Sequence, residues 1–142
     1  MDYAPPITAY QIDRPFPKAL KMVRSALAAA QVRVAGELDV SDSIQQQLRV
    51  RFSPCRILFV DTPYLLLESM VFDRSAATLL PLHLVVSGRG NHTRVEWISL
   101  ARMDGARCPA EPALLARLHR QLSEALNQVA IREDTVCLDT AN

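Results

Sequence analysis

Asp61 closes an apolar run, Ile57-Leu58-Phe59-Val60, and Thr62-Pro63 follows at once. Threonine then proline is the pattern of a helix N-cap and a first helical turn. A carboxylate at such a junction sits where strand ends line clefts and helix N–H groups gather, and the helix start favours its charged form. A plain capping or turn role would use the same residue. His83 stands two positions after Pro81 and alternates with Leu82 and Leu84, so it points to the other face of its strand. If the two strands are neighbours, Asp61 and His83 could act as an acid–base or ligand pair. If they are not, His83 is a surface or groove-lining imidazole. The candidate ligand-binding set is Asp61, Thr62 and His83, and no catalytic residue is assigned.

The remaining reactive side chains are scattered. Glu37 and Asp39 share one face of a strand, with Leu38 and Val40 on the other. Paired carboxylates can hold a cation or move protons, and a solvated strand face accounts for them equally well. His92 falls in a loop and His119 on the flank of a helix, and there is neither a His-x₃-His nor an HExxH spacing. No metal site is expected, and the cofactor is left unassigned. Cys55, Cys108 and Cys137 are far apart, odd in number and form no CxxC pair, which suits reduced thiols in a cytoplasmic protein. Cys108-Pro109 is accounted for by a plain loop. There is no GxGxxG, P-loop, GxSxG or triad-like cluster.

The elements that must position these residues follow from periodicity. Residues 7–13 alternate as a first strand, and Arg14-Pro15-Phe16-Pro17 breaks it. Phe16, Leu20, Val23, Leu27 and Ala30 then recur at helical spacing, with Lys18, Lys21 and Arg24 on the solvent side. A second strand spans 32–40, bent or bulged at Gly36. Ser41 is the expected cap of a short helix to about Arg49, with Ile44 and Leu48 inward. Residues 56–61 form a short apolar strand suited to a central place in a sheet. A helix from Pro63 to about Asp73 follows, with Leu66 and Met70 in the core. Strands 82–87 and 93–100 make a hairpin around residues 88–92, where glycine can take a positive φ. Trp97 is expected in the core or an interface. A loop at 102–111 leads to a last helix from Pro112, with Leu115, Leu118, Leu122, Leu126 and Val129 as its stripe.

Composition narrows the classes. Sixteen basic against 15 acidic residues leave a net charge of +1, which gives no reason to expect a nucleic-acid partner. No apolar run approaches the ~20 residues that span a bilayer, so no membrane partner is expected. The N-terminus has neither a basic nor an apolar leader region, so a secretory signal is not expected. With 49% apolar residues in 142, the chain is ordinary globular material for one domain, residues 1–142, with a core over about 7–130 and a polar tail over 131–142.

The order strand, helix, strand, helix, strand, helix, hairpin, helix carries specific residues. They include Val34-Ala35-Gly36-Glu37-Leu38-Asp39-Val40, Pro54-Cys55-Arg56-Ile57-Leu58, Thr62-Pro63, and Leu79-Leu80-Pro81-Leu82. Together these resemble the small prokaryotic proteins grouped as domain of unknown function 302. Members carry a Glu-Ile-Asp-Val strand, a Pro-Tyr-Lys-Ile-Leu strand, a Cys-Asn-Pro helix start and a Leu-Leu-Pro-Cys strand. The resemblance covers roughly residues 7–129 and implies a compact, often dimeric α+β fold with no established activity. This chain has Asp61-Thr62-Pro63 for Cys-Asn-Pro and Leu80-Pro81-Leu82 for Leu-Pro-Cys, so both characteristic cysteines are absent. Any metal or redox work those thiols do in relatives is expected to be lost here.

The resulting expectation is an α+β domain with a twisted mixed or mostly antiparallel sheet of about five strands, packed by helices. Three functions compete. The first is a cytoplasmic small-ligand-binding or accessory homodimer, the second an enzyme using the Asp61/His83 pair, and the third a structural or interaction protein acting through its dimer surface.

Overall fold

A computed structural model of the chain describes residues 7–99 and 112–133. Its strands are β1 (Ile7–Ile12), β2 (Arg33–Asp39), β3 (Cys55–Asp61), β4 (Leu82–Arg89), β5 (His92–Ile98) and β6 (Ile131–Glu133). Its helices are α1 (Phe16–Ala29), α2 (Val40–Leu48), α3 (Pro63–Phe72) and α4 (Pro112–Asn127), with a 3₁₀ turn at Arg74–Thr78. The strands form one open antiparallel sheet in the order β2-β3-β4-β5-β1-β6. This is the α+β architecture that the periodicity predicts, with one more strand. The sixth begins where a polar tail is expected, pairing Gln11 with Ile131 and Ala9 with Glu133. Three residues are too few to show an alternation, so only the neighbouring strand reveals it.

Alternation decides which sheet face is dry. Tyr10 and Ile12 of β1, Leu58 and Val60 of β3, Leu84 and Val86 of β4, and Val95 and Trp97 of β5 are all buried. Onto them α1 lays Leu20, Val23 and Leu27, and α4 lays Leu115, Leu118, Leu122 and Leu126. Each such leucine or valine is worth about 1.5–3 kcal/mol when fully buried. These stripes therefore hold the helices on the sheet. On the other face His83, Val85, Arg94, Glu96 and Ile98 are exposed or half-buried.

Local chemistry sets the joints. The β2–β3 register shifts between Val34 and Gly36, placing the expected bulge at Ala35. The cap of α2 is Asp39 rather than Ser41: its Oδ1 accepts from the Asp42 N–H at 2.9 Å and from the Ser41 hydroxyl at 2.8 Å. The carboxylate takes the Asp42 N–H, which starts the helix two residues early. Ile44 is half-buried and Leu48 is 68% exposed, contrary to their expected inward positions, because α2 lies at the sheet edge beside β3 with no second layer to enter. In α3 the buried residues are Leu65 and Ser69, while Leu66 and Met70 are half-buried. The hairpin strands run on to Arg89 and His92, leaving Gly90-Asn91 as the turn, with Gly90 at φ +66°. The expected loop at 102–111, with Cys108, lies outside the described residues, as do Leu100 and Cys137.

Gly88 marks a close approach. Its N–H donates to the Pro54 carbonyl at 2.7 Å, and an added Cβ would lie 3.0 Å from Phe16 Cβ. Gly88→Ala should therefore lower stability by about 1–3 kcal/mol, read as a lower urea midpoint with an unchanged slope.

Candidate functional site

The β2–β3 register sets Arg33 opposite Asp61. Asp61 has no exposed side-chain surface, and a buried carboxylate needs a cation and hydrogen bonds. Arg33 supplies both as a fork, with Nε to Oδ1 at 3.2 Å and Nη2 to Oδ2 at 3.3 Å. Next along the chain, the Thr62 hydroxyl accepts from the Leu65 N–H at 3.2 Å, the N-cap that the Thr-Pro pattern predicts. His83 lies opposite Phe59 in the β3–β4 register, its ring edge-on to the phenyl with centroids 5.0 Å apart. Among the described residues no hydrogen bond joins His83 to Asp61 or Thr62. The structure thus gathers Asp61 and Thr62 at one strand–helix junction and leaves His83 exposed on the neighbouring strand.

A cleft of about 540 Å³ opens at that junction. Three stretches wall it: Gln31, Val32 and Arg33 after α1, Thr62, Pro63 and Tyr64 at the start of α3, and Arg117 with Gln121 from α4. The Arg33 side chain is 56% exposed although its partner Asp61 is wholly buried. Asp61 engages Nε and Nη2, which leaves Nη1 without a hydrogen-bond partner among the described residues. Arg117 has Nη1 3.9 Å from Glu68 Oε2, an ion pair too long for a hydrogen bond. Gln31 adopts φ 61°, the left-handed conformation that glycine or asparagine takes at least cost.

Gln31, Arg33, Tyr64, Arg117 and Gln121 escape a reading by motif. They come from three distant stretches, and their only mark in the sequence is a polar or aromatic side chain near an element boundary. Two other hollows have a different lining. A groove of about 790 Å³ between α1 and α4 has an alanine-rich floor with Lys18 and Lys21 at its edge. A hollow of about 500 Å³ lies against α2 and the residues after it.

The Glu37/Asp39 pair has a structural occupation. Glu37 accepts from Arg24 Nε at 2.8 Å and Nη2 at 2.6 Å, and Arg56 Nη2 reaches Asp39 at 2.8 Å. The Arg24 hydrogen bonds hold the Glu37 carboxyl below its usual range. The Asp42 N–H, then Ser41 and Arg56, do the same for Asp39. Both carboxylates therefore stay charged near neutrality and tie α1, β2 and β3 together. Among the described residues no group of three or more His, Cys, Asp or Glu side chains could hold a metal ion. Cys55 is half-buried, and burial pushes its thiol up. None of the described helices is long and apolar enough to cross a membrane.

Trp97 is a core residue, stacked on Tyr10 with ring centroids 5.5 Å apart. Its indole N–H donates to His119 Nδ1 at 3.2 Å, so the imidazole is neutral with its proton on Nε2. Burial, and then the charge of Arg132, lower the His119 pKa below 6.5.

Helices layered on one face of an open antiparallel sheet, with a polar cleft at the sheet end, define an α+β domain. The family model "Domain of unknown function DUF302" matches residues 8–129, and the chain belongs to that family. It is also similar to the crystal structure of an uncharacterised conserved DUF302 protein from Bacillus stearothermophilus. The TM-score is 0.75 at 18% identity, covering 87% of this chain and 97% of that one, a likeness of fold. No curated protein matches the chain.

Arg33→Ala should cost about 2–3 kcal/mol in urea unfolding, because it leaves the wholly buried Asp61 carboxylate without its cation. Adding Asp61→Asn should recover at least half of that loss, and a purely additive pair would contradict the coupling. His119 gives a pH signature. Its folded pKa lies below the unfolded value, so stability is full above pH 6.5 and falls as the pH drops below it, until the folded imidazole also protonates. The fluorescence of Trp97, the only tryptophan, should change with a midpoint below pH 6.5, and His119→Phe should abolish the change.

Proposed function

We propose that this protein binds a small molecule in the cleft between the α1–β2 turn, the start of α3 and the middle of α4. The observation that carries this reading is the wholly buried Asp61 holding a half-exposed Arg33 at the cleft wall. Burying a carboxylate costs several kcal/mol before its partner is counted, and hydrophobic residues of similar volume would stabilise the sheet end as well or better. A charged pair kept there instead, with the guanidinium open to a recess, fits a recognition role. Thr62 lines the recess directly, and Asp61 acts through Arg33 as a positioning residue. His83 is not part of the lining. The spacing of the cysteines supports a cytoplasmic setting.

A second observation favours self-association. A helix that is apolar all round belongs in an interior, yet α3 leaves Tyr64, Leu67 and Val71 77%, 62% and 80% exposed. These residues fall at i, i+3 and i+7, so they form one stripe, and an apolar stripe is its own complement across a two-fold axis. The occupant of that stripe in this reading is a second copy of the chain.

Native mass spectrometry tests the first reading. Purified protein should carry a stoichiometric small adduct, or gain one from a metabolite extract, and Tyr64→Ala should release it. A chain that stays bare in both experiments sinks the reading. Light scattering tests the second, with a dimer expected that Leu67→Glu plus Val71→Glu converts to monomer. A wild-type monomer at all accessible concentrations would refute it.

A further inference from the structure

The donors on the cleft wall identify the class of ligand. Asp61 engages Arg33 through Nε and Nη2, which fixes the guanidinium at the recess wall and leaves Nη1 without a hydrogen-bond partner among the described residues. Arg117 reaches the same recess from α4, more than half exposed, and donates no hydrogen bond among the described residues. Gln31 and Gln121 add side-chain amides, while Val32, Pro63 and Tyr64 supply apolar and aromatic surface. Among the described residues no acidic side chain lines this space: Asp61 is wholly buried against Arg33, and Glu68, 3.9 Å from Arg117, is not part of the lining. Guanidinium forks match carboxylate and phosphate oxygens, and charge-assisted contacts of this kind are about twice as strong as neutral ones.

We infer that the cleft takes an organic oxyanion, a carboxylate or phosphate group gripped between Arg33 and Arg117, with its apolar body against Tyr64 and Pro63. The inference rests on the small-molecule reading above and specifies its ligand. The strained backbone of Gln31 fits it. Glycine would relieve φ 61°, and a glutamine kept there retains an amide on the wall.

The test is titration of the intact, isotope-labelled protein with benzoate, phenyl phosphate and the neutral isostere benzamide, followed by amide chemical shifts. Benzoate or phenyl phosphate should move the amides of residues 31–33 and 62–65 and bind at least about tenfold more tightly than benzamide. The tighter of the two anions assigns the group as carboxylate or phosphate. Arg117→Gln should weaken that binding about tenfold, and salt should weaken it further. Arg33→Ala is a poor probe because it strands Asp61. Gln31→Gly replaces it, expected to raise the melting temperature while weakening the anion, which separates lost binding from lost folding. If benzamide binds the cleft as tightly as benzoate, the oxyanion assignment fails and the small-molecule reading stands. If none of the three probes moves these amides, both fail.

Discussion

An antiparallel sheet can leave one face in water, and here Leu58, Val60, Leu84 and Val86 put their side chains on the other. That one dry face dictates the layering. Helices α1 and α4 must cover it, so the turns that deliver α1 into β2 and β3 into α3 are brought to one end of the sheet, beside the middle of α4. The cleft forms there because three chain segments converge without filling the space between them. Helix α2 shows the opposite case: it meets the sheet at β3 and buries none of its residues.

Electrostatics divides the charged residues into two kinds. Around Glu37 and Asp39, each carboxylate meets arginines at the part-exposed edge of the sheet, and such pairs contribute modestly and stay charged. Asp61 is different because its side chain is wholly buried, and Arg33 is its ion-pair partner among the described side chains. Removing one partner of such a pair costs far more than the pair contributes. The same two residue types thus brace one sheet corner and set up a recess at another, and burial alone decides which.

The resemblance read from the sequence sets Asp61 and Leu82 at positions where the family's characteristic cysteines are expected. Leu82 has joined the core opposite Val60, while Asp61 has gained a cation across the strand. In this chain an arginine–carboxylate fork occupies the β3–α3 junction.

Much of the fold was legible before any coordinates. The periods of α1 and α4, the β4–β5 hairpin, the bulge near Gly36 and the Thr62 cap each depend on residues within a few positions of one another, and local sterics and hydrogen bonding settle them. Asp61 and Thr62 were marked for the same reason, by a junction written in consecutive residues. The boundaries that shifted did so where a side chain chose between near-equal local partners, as Asp39 did over Ser41 at the start of α2. The sequence by itself thus determined which segments become helix or strand and which faces are apolar. Tertiary structure alone decided that Arg33 would meet Asp61, 28 residues away, that Arg117 and Gln121 would close the same recess, and that Phe59 would engage His83. Register between strands and the docking of helices arise from the whole buried face at once, so no spacing of residues along the chain encodes them singly.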